Sequence, residues 1–515
     1  MEKTERFPNI DRQRLWTCLI STLLFWLVCH GYRIANASFS GDGTLIFQAG
    51  GEIPYQISLG RFLQPVWWQI RGAIVAPYLI GLFCLVFLTL SGYVLTALLR
   101  CRRTVPIVFT CGVLTTSETL GLANATFIPW SDVYTVALFF ALLGAACSLA
   151  EGRKRWLAPL FYVLSLGMYQ SYLTCAASVV VIVLLAEVLS NPAQASAVWK
   201  KGMTAIFLLV VGLGLYAVLL KAIFWFGGID ASQDYNGVGR VGLVSLPELL
   251  RLASDSWLYP IRILLIPGEK ALLPWHVSAV PQFLNILILI LIFLQITFLF
   301  RHTILSTFTV LFLLLVFPMA QNFVMVISRG VIHGLMIYAW SFLYLVPIAL
   351  SEAAVRSNRI RKPLAITGRM MLSLLFLYCA LFSNQAAIKR DLELYATHSA
   401  FARLQDRMEE TEGYLPGITE VVPVGMLPSS AISMVRPGMA SISARQGMRY
   451  TYGASYETSQ YWYLRMILGA NIRLVSHADR VRLIDEYAAA IEAMPVFPAK
   501  GCAAMLDGKL FIRIS

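Results

Sequence analysis

Eleven apolar runs, joined by short polar stretches, limit what this chain can become. A helix crosses the hydrocarbon of a bilayer with about 20 apolar residues. By that ruler the runs lie at 15–32, 73–99, 105–122, 133–150, 157–168, 172–190, 203–226, 282–300, 303–320, 332–352 and 364–384, and the fifth is short. Composition agrees: 58% of the residues are hydrophobic and only 13% charged, where a soluble domain carries about a quarter charged residues. The expectation is an α-helical polytopic membrane protein of about 11 transmembrane helices, with the lipid bilayer as its first partner.

The cations give that count a direction. Arg12 and Arg14 precede the first run; Arg100, Arg102 and Arg103 follow the second; Arg153, Lys154 and Arg155 follow the fourth. Lys200 and Lys201 follow the sixth, Arg301 the eighth, and Arg356, Arg359, Arg361 and Lys362 the tenth. If the runs alternate, every cluster falls on one side, which the positive-inside rule makes the cytoplasm. Residues 1–384 then form the membrane domain, with the N-terminus inside and loops 33–72 and 227–281 outside. Residues 385–515 form an outer C-terminal domain. That domain reads as small α/β, with strands at Thr419–Pro423 and Lys509–Ile514 and a helix over about 478–493. In the second loop, Leu246, Leu249, Leu250, Ala253 and Trp257 recur at helical spacing beside Glu248, Arg251 and Asp255, the pattern of an interfacial amphipathic helix. Phe62, Val66, Trp67 and Ile70 make a similar aromatic-rich stretch in the first loop.

Several function classes drop out. The net charge of +13 sits in loop clusters, so no nucleic-acid partner is expected. Gly237, Gly239 and Gly242 match G-x-G-x-x-G, but no strand precedes them and no βαβ unit surrounds them, so no nucleotide cofactor is expected. The six histidines lack metal-ligand spacing and no D-x-D occurs, so no metal is expected either. Most of the nine cysteines lie in apolar runs, and Cys502 stands apart, which argues against a structural disulfide there.

What remains is a set of charges at the outer ends of the helices. Asp42 lies in a Gly-flanked turn after the first run, and Glu52 follows it in the same loop. Glu118 stands in the last turns of the third run, where an ionisable group faces either a cavity or water. Asp132 opens the fourth run, as a reactive carboxylate or as a helix cap. Arg61 stands in the first loop and Arg329 between the ninth and tenth runs, while Tyr169 and Gln170 mark the turn between the fifth and sixth. Acids and arginines on one face suit a carboxylate that takes a proton from a hydroxyl while cations stabilise a departing phosphate.

The first-loop acid, Gly60-Arg61-Phe62-Leu63 and Gly167-Met168-Tyr169-Gln170-Ser171-Tyr172-Leu173 together resemble the Gtr-type serotype-converting glucosyltransferases. These are bacterial inner-membrane enzymes of the GT-C class. The resemblance implies a GT-C-like fold, a sugar donor on undecaprenyl phosphate and an O-antigen glycan of lipopolysaccharide as acceptor. The chemistry would then lie on the periplasmic side. It maps the catalytic acid to Asp42 and a second acid to Asp132. It also implies Arg61 and Arg329 at the polyprenyl phosphate, with Tyr169 and Gln170 at the sugar. Many GT-C enzymes carry paired acids where this chain has Asp42 followed by Gly43, so Glu52 competes as the base. An O-antigen polymerase and a secondary transporter are the alternative readings. A polymerase would use two lipid-linked glycans, and a transporter would gather its charges near the bilayer midplane.

Overall fold

The computed structural model describes residues 11–36, 53–230, 245–266, 280–300, 303–425 and 463–515. It has two units, a helical one reaching to Asn384 and a second made mainly of Gln385–Ser515. In chain order the helices are α1 (Arg12–Ala35), α2 (Ile53–Ser58), α3 (Leu63–Ile70), α4 (Pro77–Leu98), α5 (Thr104–Thr115), α6 (Glu118–Thr126), α7 (Ser131–Leu149) and α8 (Ala158–Met168). There follow α9 (Leu173–Ser190), α10 (Ala195–Gly227), α11 (Leu246–Leu265), α12 (Val280–Leu299), α13 (Ile304–Asn322), α14 (Val324–Ile327), α15 (Val346–Arg356) and α16 (Lys362–Glu409).

Among the described residues nine helices are long and apolar enough to cross a bilayer, and α5 with α6, bent by 43°, makes a tenth. The short fifth run is α8, whose 11 residues end where Tyr169 turns extended. Helix α9 is apolar on every side and buried on nearly all of them, which places it at the centre of the bundle. Helix α10 is equally apolar but largely exposed, with Trp225 and Phe226 bare to the surroundings, as a lipid-facing helix must be.

One end of this bundle is tied by the basic clusters. Glu187, at the end of α9, pairs with Arg100 after α4 at 2.7 Å and with Lys201 of α10 at 3.1 Å. Arg103 pairs with Glu352 of α15 at 3.2 Å. Arg356 donates to the carbonyls of Leu99 and Ala186, both at 3.4 Å, meeting the negative ends of α4 and α9. The ends of α4, α9 and α15 thus meet the starts of α5 and α10, as alternation of those runs requires.

At the opposite end α3 packs with Gln64 and Trp68 inward and Val66 and Ile70 outward. Helix α11 buries Leu252, Ser256 and Ile263; of the predicted stripe Leu246, Leu249 and Leu250 are exposed, while Ala253 and Trp257 are half-buried and the Trp257 indole donates to the Leu315 carbonyl of α13 at 2.7 Å. An apolar stripe left bare on an amphipathic helix fits an interfacial position.

The second unit holds a four-stranded sheet in the order β2-β1-β4-β3, with β1 at Glu420–Val424, β2 at Arg473–Leu474, β3 at Ala503–Leu506 and β4 at Lys509–Arg513. Strand β1 runs parallel to both β2 and β4, and β3–β4 is a hairpin. Its turn is Asp507-Gly508, both at positive φ, as a two-residue primed turn requires. Leu510 and Ile512 point to a core with Phe401 and Leu404, and Phe511 points to the other face with Val422 and Leu483. The helix expected over 478–493 is broken at Tyr487 into His477–Glu486 and Ala488–Ala493.

Candidate active site

The Gly-Arg-Phe-Leu and Gly-Met-Tyr-Gln stretches, a hundred residues apart in the chain, pack on each other. Gly60 sits at φ +81, and a Cβ there would lie 2.4 Å from the Tyr216 hydroxyl and 2.8 Å from Gln170 Nε2. Those two groups close on the turn: Gln170 donates to the Leu59 carbonyl at 2.7 Å, and Tyr216 donates to the Gly60 carbonyl at 2.9 Å. Gln64 donates to the Met168 carbonyl at 2.7 Å, and a Cβ on Gly167 would strike Phe62 and Leu63 at 2.9 Å. Neither glycine can grow a side chain without opening this contact. The clamp fixes Arg61, half-buried, with its guanidinium 4.7 Å from the centre of the Tyr169 ring. Tyr169 in turn is buried against Tyr134 and Tyr172 at 4.8 and 5.9 Å between ring centres. Of the two residues expected at the sugar, Tyr169 faces the Arg61 guanidinium and Gln170 holds the turn that precedes it.

Asp132 is wholly enclosed. Its Oδ1 meets Arg71 Nη1 at 2.7 Å and its own helix at Val133 N, while Oδ2 accepts from Trp67 Nε1 at 2.9 Å. Arg71 also donates to the Pro129 carbonyl at 2.9 Å and lies 4.9 Å from the Trp68 ring centre. Asp132 is in the first turn of α7, two residues past the N-cap Trp130, and it locks the first loop to that helix. Both carboxylate oxygens are thus occupied by groups of the protein itself.

Glu118 lies past a break in its run, at the start of α6 instead of the last turns of one helix. Thr115 and Thr116 turn their hydroxyls back onto the carbonyls of Cys111 and Gly112, which loosens the helix there. The carbonyls released by the break find side chains: Tyr338 donates to Leu114 at 2.5 Å and His30 Nε2 to Thr115 at 2.9 Å. Glu118 is half-buried beside the Cys379 thiol of α16. Farther along α6, Asn124 is buried with neither amide atom paired, an unusual expense within a bilayer.

The profile of the glucosyl transferase GtrII family matches residues 32–350, well over half of the chain. The chain belongs to that family. Comparison with curated proteins and with solved structures returned no match. As a GtrII family member it is a membrane glycosyltransferase, which requires a sugar donor, a glycan acceptor and a bilayer.

The GtrII match takes in the clamp, the Arg71–Asp132 pair and the broken helix. It also spans Asp42 and Glu52, which lie outside the described residues, as do the three glycines at 237–242. Arg329 is half-buried at φ +52, in a turn continued by Gly330 at φ +88 and closed by Ser328 Oγ on the Val331 carbonyl. A Cβ on Gly330 would come 3.4 Å from Leu252, so this turn lies against α11. The sequence pattern does not mark Arg71, Tyr216 or His30, and marks Trp67 only as part of the aromatic stretch of the first loop. Tyr216 and His30 sit within apolar runs, and only their polar atoms marked them out.

Proposed function

We propose that this GtrII-family glycosyltransferase moves glucose from undecaprenyl phosphate to a hydroxyl of an O-antigen glycan on the periplasmic side of the bacterial inner membrane. The observation that carries the reading is the family match across residues 32–350. The acceptor oxygen attacks the anomeric carbon, and the bond from that carbon to the phosphate oxygen breaks. Undecaprenyl phosphate leaves with the electron pair. Asp42 takes the acceptor proton, with Glu52 and Glu118 as competing bases. Arg61 and Arg329 meet the phosphate charge, for which a guanidinium is well shaped. Asp132, Tyr169 and Gln170 act as positioning residues around Arg61 and α7.

An apolar cavity of about 460 Å³ between α9, α10 and α13 supports a lipid-linked donor. Trp199 and Phe312 line one end of it and Val326 and Ile327 the other, so it ends two residues before Arg329. A polyprenyl tail in this cavity would bring its phosphate toward that arginine. Family membership favours transfer from a monosaccharide donor over the polymerase and transporter readings.

The test is transfer of labelled glucose from synthetic polyprenyl-phosphate-glucose to purified O-antigen. Asp42→Asn should lower the rate by roughly 10²–10⁴, the usual worth of a general base. Near-normal transfer by folded Asp42→Asn would move the base to Glu52 or Glu118. No transfer by the wild type would remove the proposed donor or acceptor.

A further inference from the structure

A second cavity, of about 360 Å³, opens at the basic end of the bundle, where the starts of α5 and α16 meet the ends of α12 and α15. Its walls are apolar and include Phe109, Phe298, Leu299 and Leu372. Its rim is cationic: Arg103, Arg361, Lys362 and Arg369 all line it, against the single acid Glu352. Glu352 is buried and already paired with Arg103. Among the described residues Arg361, Lys362 and Arg369 have no carboxylate partner, so the rim carries uncompensated positive charge. Arg361 is held in place over the Phe298 ring, 4.7 Å from its centre. Deeper in, Gln295 of α12 donates to Pro347 and Ser351, and its amide oxygen is buried against this cavity with no partner. The wall therefore has a polar point about one turn of α12 before Leu299.

We infer that this cavity binds an anionic glycerophospholipid of the surrounding membrane. The phosphodiester would lie among Arg361, Lys362 and Arg369, and an acyl chain along Phe298 and Leu372. Cations over an apolar slot between membrane helices recognise that combination and leave a zwitterionic lipid with an unmatched ammonium group. Free phosphate would use the same cations but gain nothing from the walls. The site lies at the end of the bundle opposite the Gly60–Gln170 clamp and does not depend on the reading of the donor. By joining α12, α15 and α16 the lipid would stabilise the membrane unit without entering the chemistry.

The experiment is retention of phosphatidylglycerol against phosphatidylcholine by the full-length protein in detergent, read by native mass spectrometry and by the rise in melting temperature on adding each lipid. Phosphatidylglycerol should be retained selectively, and excess inorganic phosphate should not displace it. The combined Arg361→Gln, Lys362→Gln and Arg369→Gln variant should weaken retention at least tenfold, on the basis of about 1 kcal/mol per basic residue at a membrane surface. The control removes the same charge elsewhere: Arg153→Gln, Lys154→Gln and Arg155→Gln, in a polar turn away from the cavity, should retain the lipid as the wild type does. Ala365→Phe keeps every charge but fills the slot, and should also lose the lipid. Equal losses from the two triple variants would show bulk attraction to a basic surface and overturn the site. Equal retention of both lipids, or displacement by inorganic phosphate, would overturn it as well.

Discussion

The Arg71–Asp132 pair shows how a single residue can be noticed in a sequence while its partner is not. Asp132 stands out because an acid at the head of an apolar run is rare, but its partner lies 61 residues earlier in a loop. With both side chains fully buried, removing either leaves an uncompensated charge, at a cost of about 3–5 kcal/mol. Asp132→Ala and Arg71→Ala should each lower the melting temperature sharply in detergent. The double variant Arg71→Met, Asp132→Leu should lose much less than the sum of the two. Additive losses would mean that the two charges do not meet. Gly60 offers a matched comparison with Gly72. Both have positive φ, +81 and +85, but only Gly60 has neighbours within reach of a Cβ. A left-handed alanine costs roughly 1–2 kcal/mol at either place. Gly60→Ala should also open the Gln170–Tyr216 clamp and reduce glucose transfer well beyond Gly72→Ala. Equal activity of the two variants would leave the clamp without a role in positioning Arg61.

Between residues and the whole molecule, the elements show where pattern reading succeeds and where it stops. Apolar length alone located the runs that became α1, α4, α7, α9, α10, α12 and α13, because hydrocarbon imposes one requirement on all of them. It could not see the break between α5 and α6, since the run over 105–122 has no proline after Pro106 and no glycine to mark its middle except Gly112. The visible signal was the cluster Thr115-Thr116-Ser117, whose hydroxyls compete for helix carbonyls. His30→Phe and Tyr338→Phe each strand a carbonyl released at that break, and each should cost about 1–3 kcal/mol in thermal stability. Wild-type stability in both would mean that water, not these side chains, meets the break. In the second unit, Glu420 on β1 pairs with Lys509 on β4 and Arg473 on β2, tying three strands together. The Lys509 ammonium, and then Arg473, hold the Glu420 carboxyl below its ordinary value. A depressed carboxyl stabilises the fold fully above its unfolded pKa of about 4.3 and loses that contribution as pH falls through the folded value. The melting difference between wild type and Glu420→Gln should therefore be greatest above pH ~5 and fade below pH ~4. A difference that persists in acid would assign the effect to packing instead of charge.

At the scale of the whole molecule, charge decides orientation, and here sequence and structure support one another. The sequence placed all its basic clusters on one side only if the runs alternate, including the short run that became α8. Deleting that run from the count would put Lys200 and Lys201 on the opposite side from Arg100. In the structure Glu187 touches both Arg100 and Lys201, so α8 does return the chain across the bundle despite its length. The contact fixes which ends go together but not which compartment they face; the positive-inside rule supplies that choice. Cysteine labelling in intact cells with permeabilised outer membranes tests it. Arg153→Cys lies at the basic end and Lys500→Cys on the second unit, and both positions are exposed, while eight of the nine native cysteines are buried and Cys147 partly so. A membrane-impermeant maleimide should label the Lys500→Cys protein and spare the Arg153→Cys protein until the inner membrane is opened. The reverse pattern would turn the protein over and move the Gly60–Gln170 clamp to the cytoplasm, where a periplasmic glycan could not reach it. Labelling of both from outside would mean that the runs do not alternate, and the GT-C-like reading of the first loop would fall with the topology.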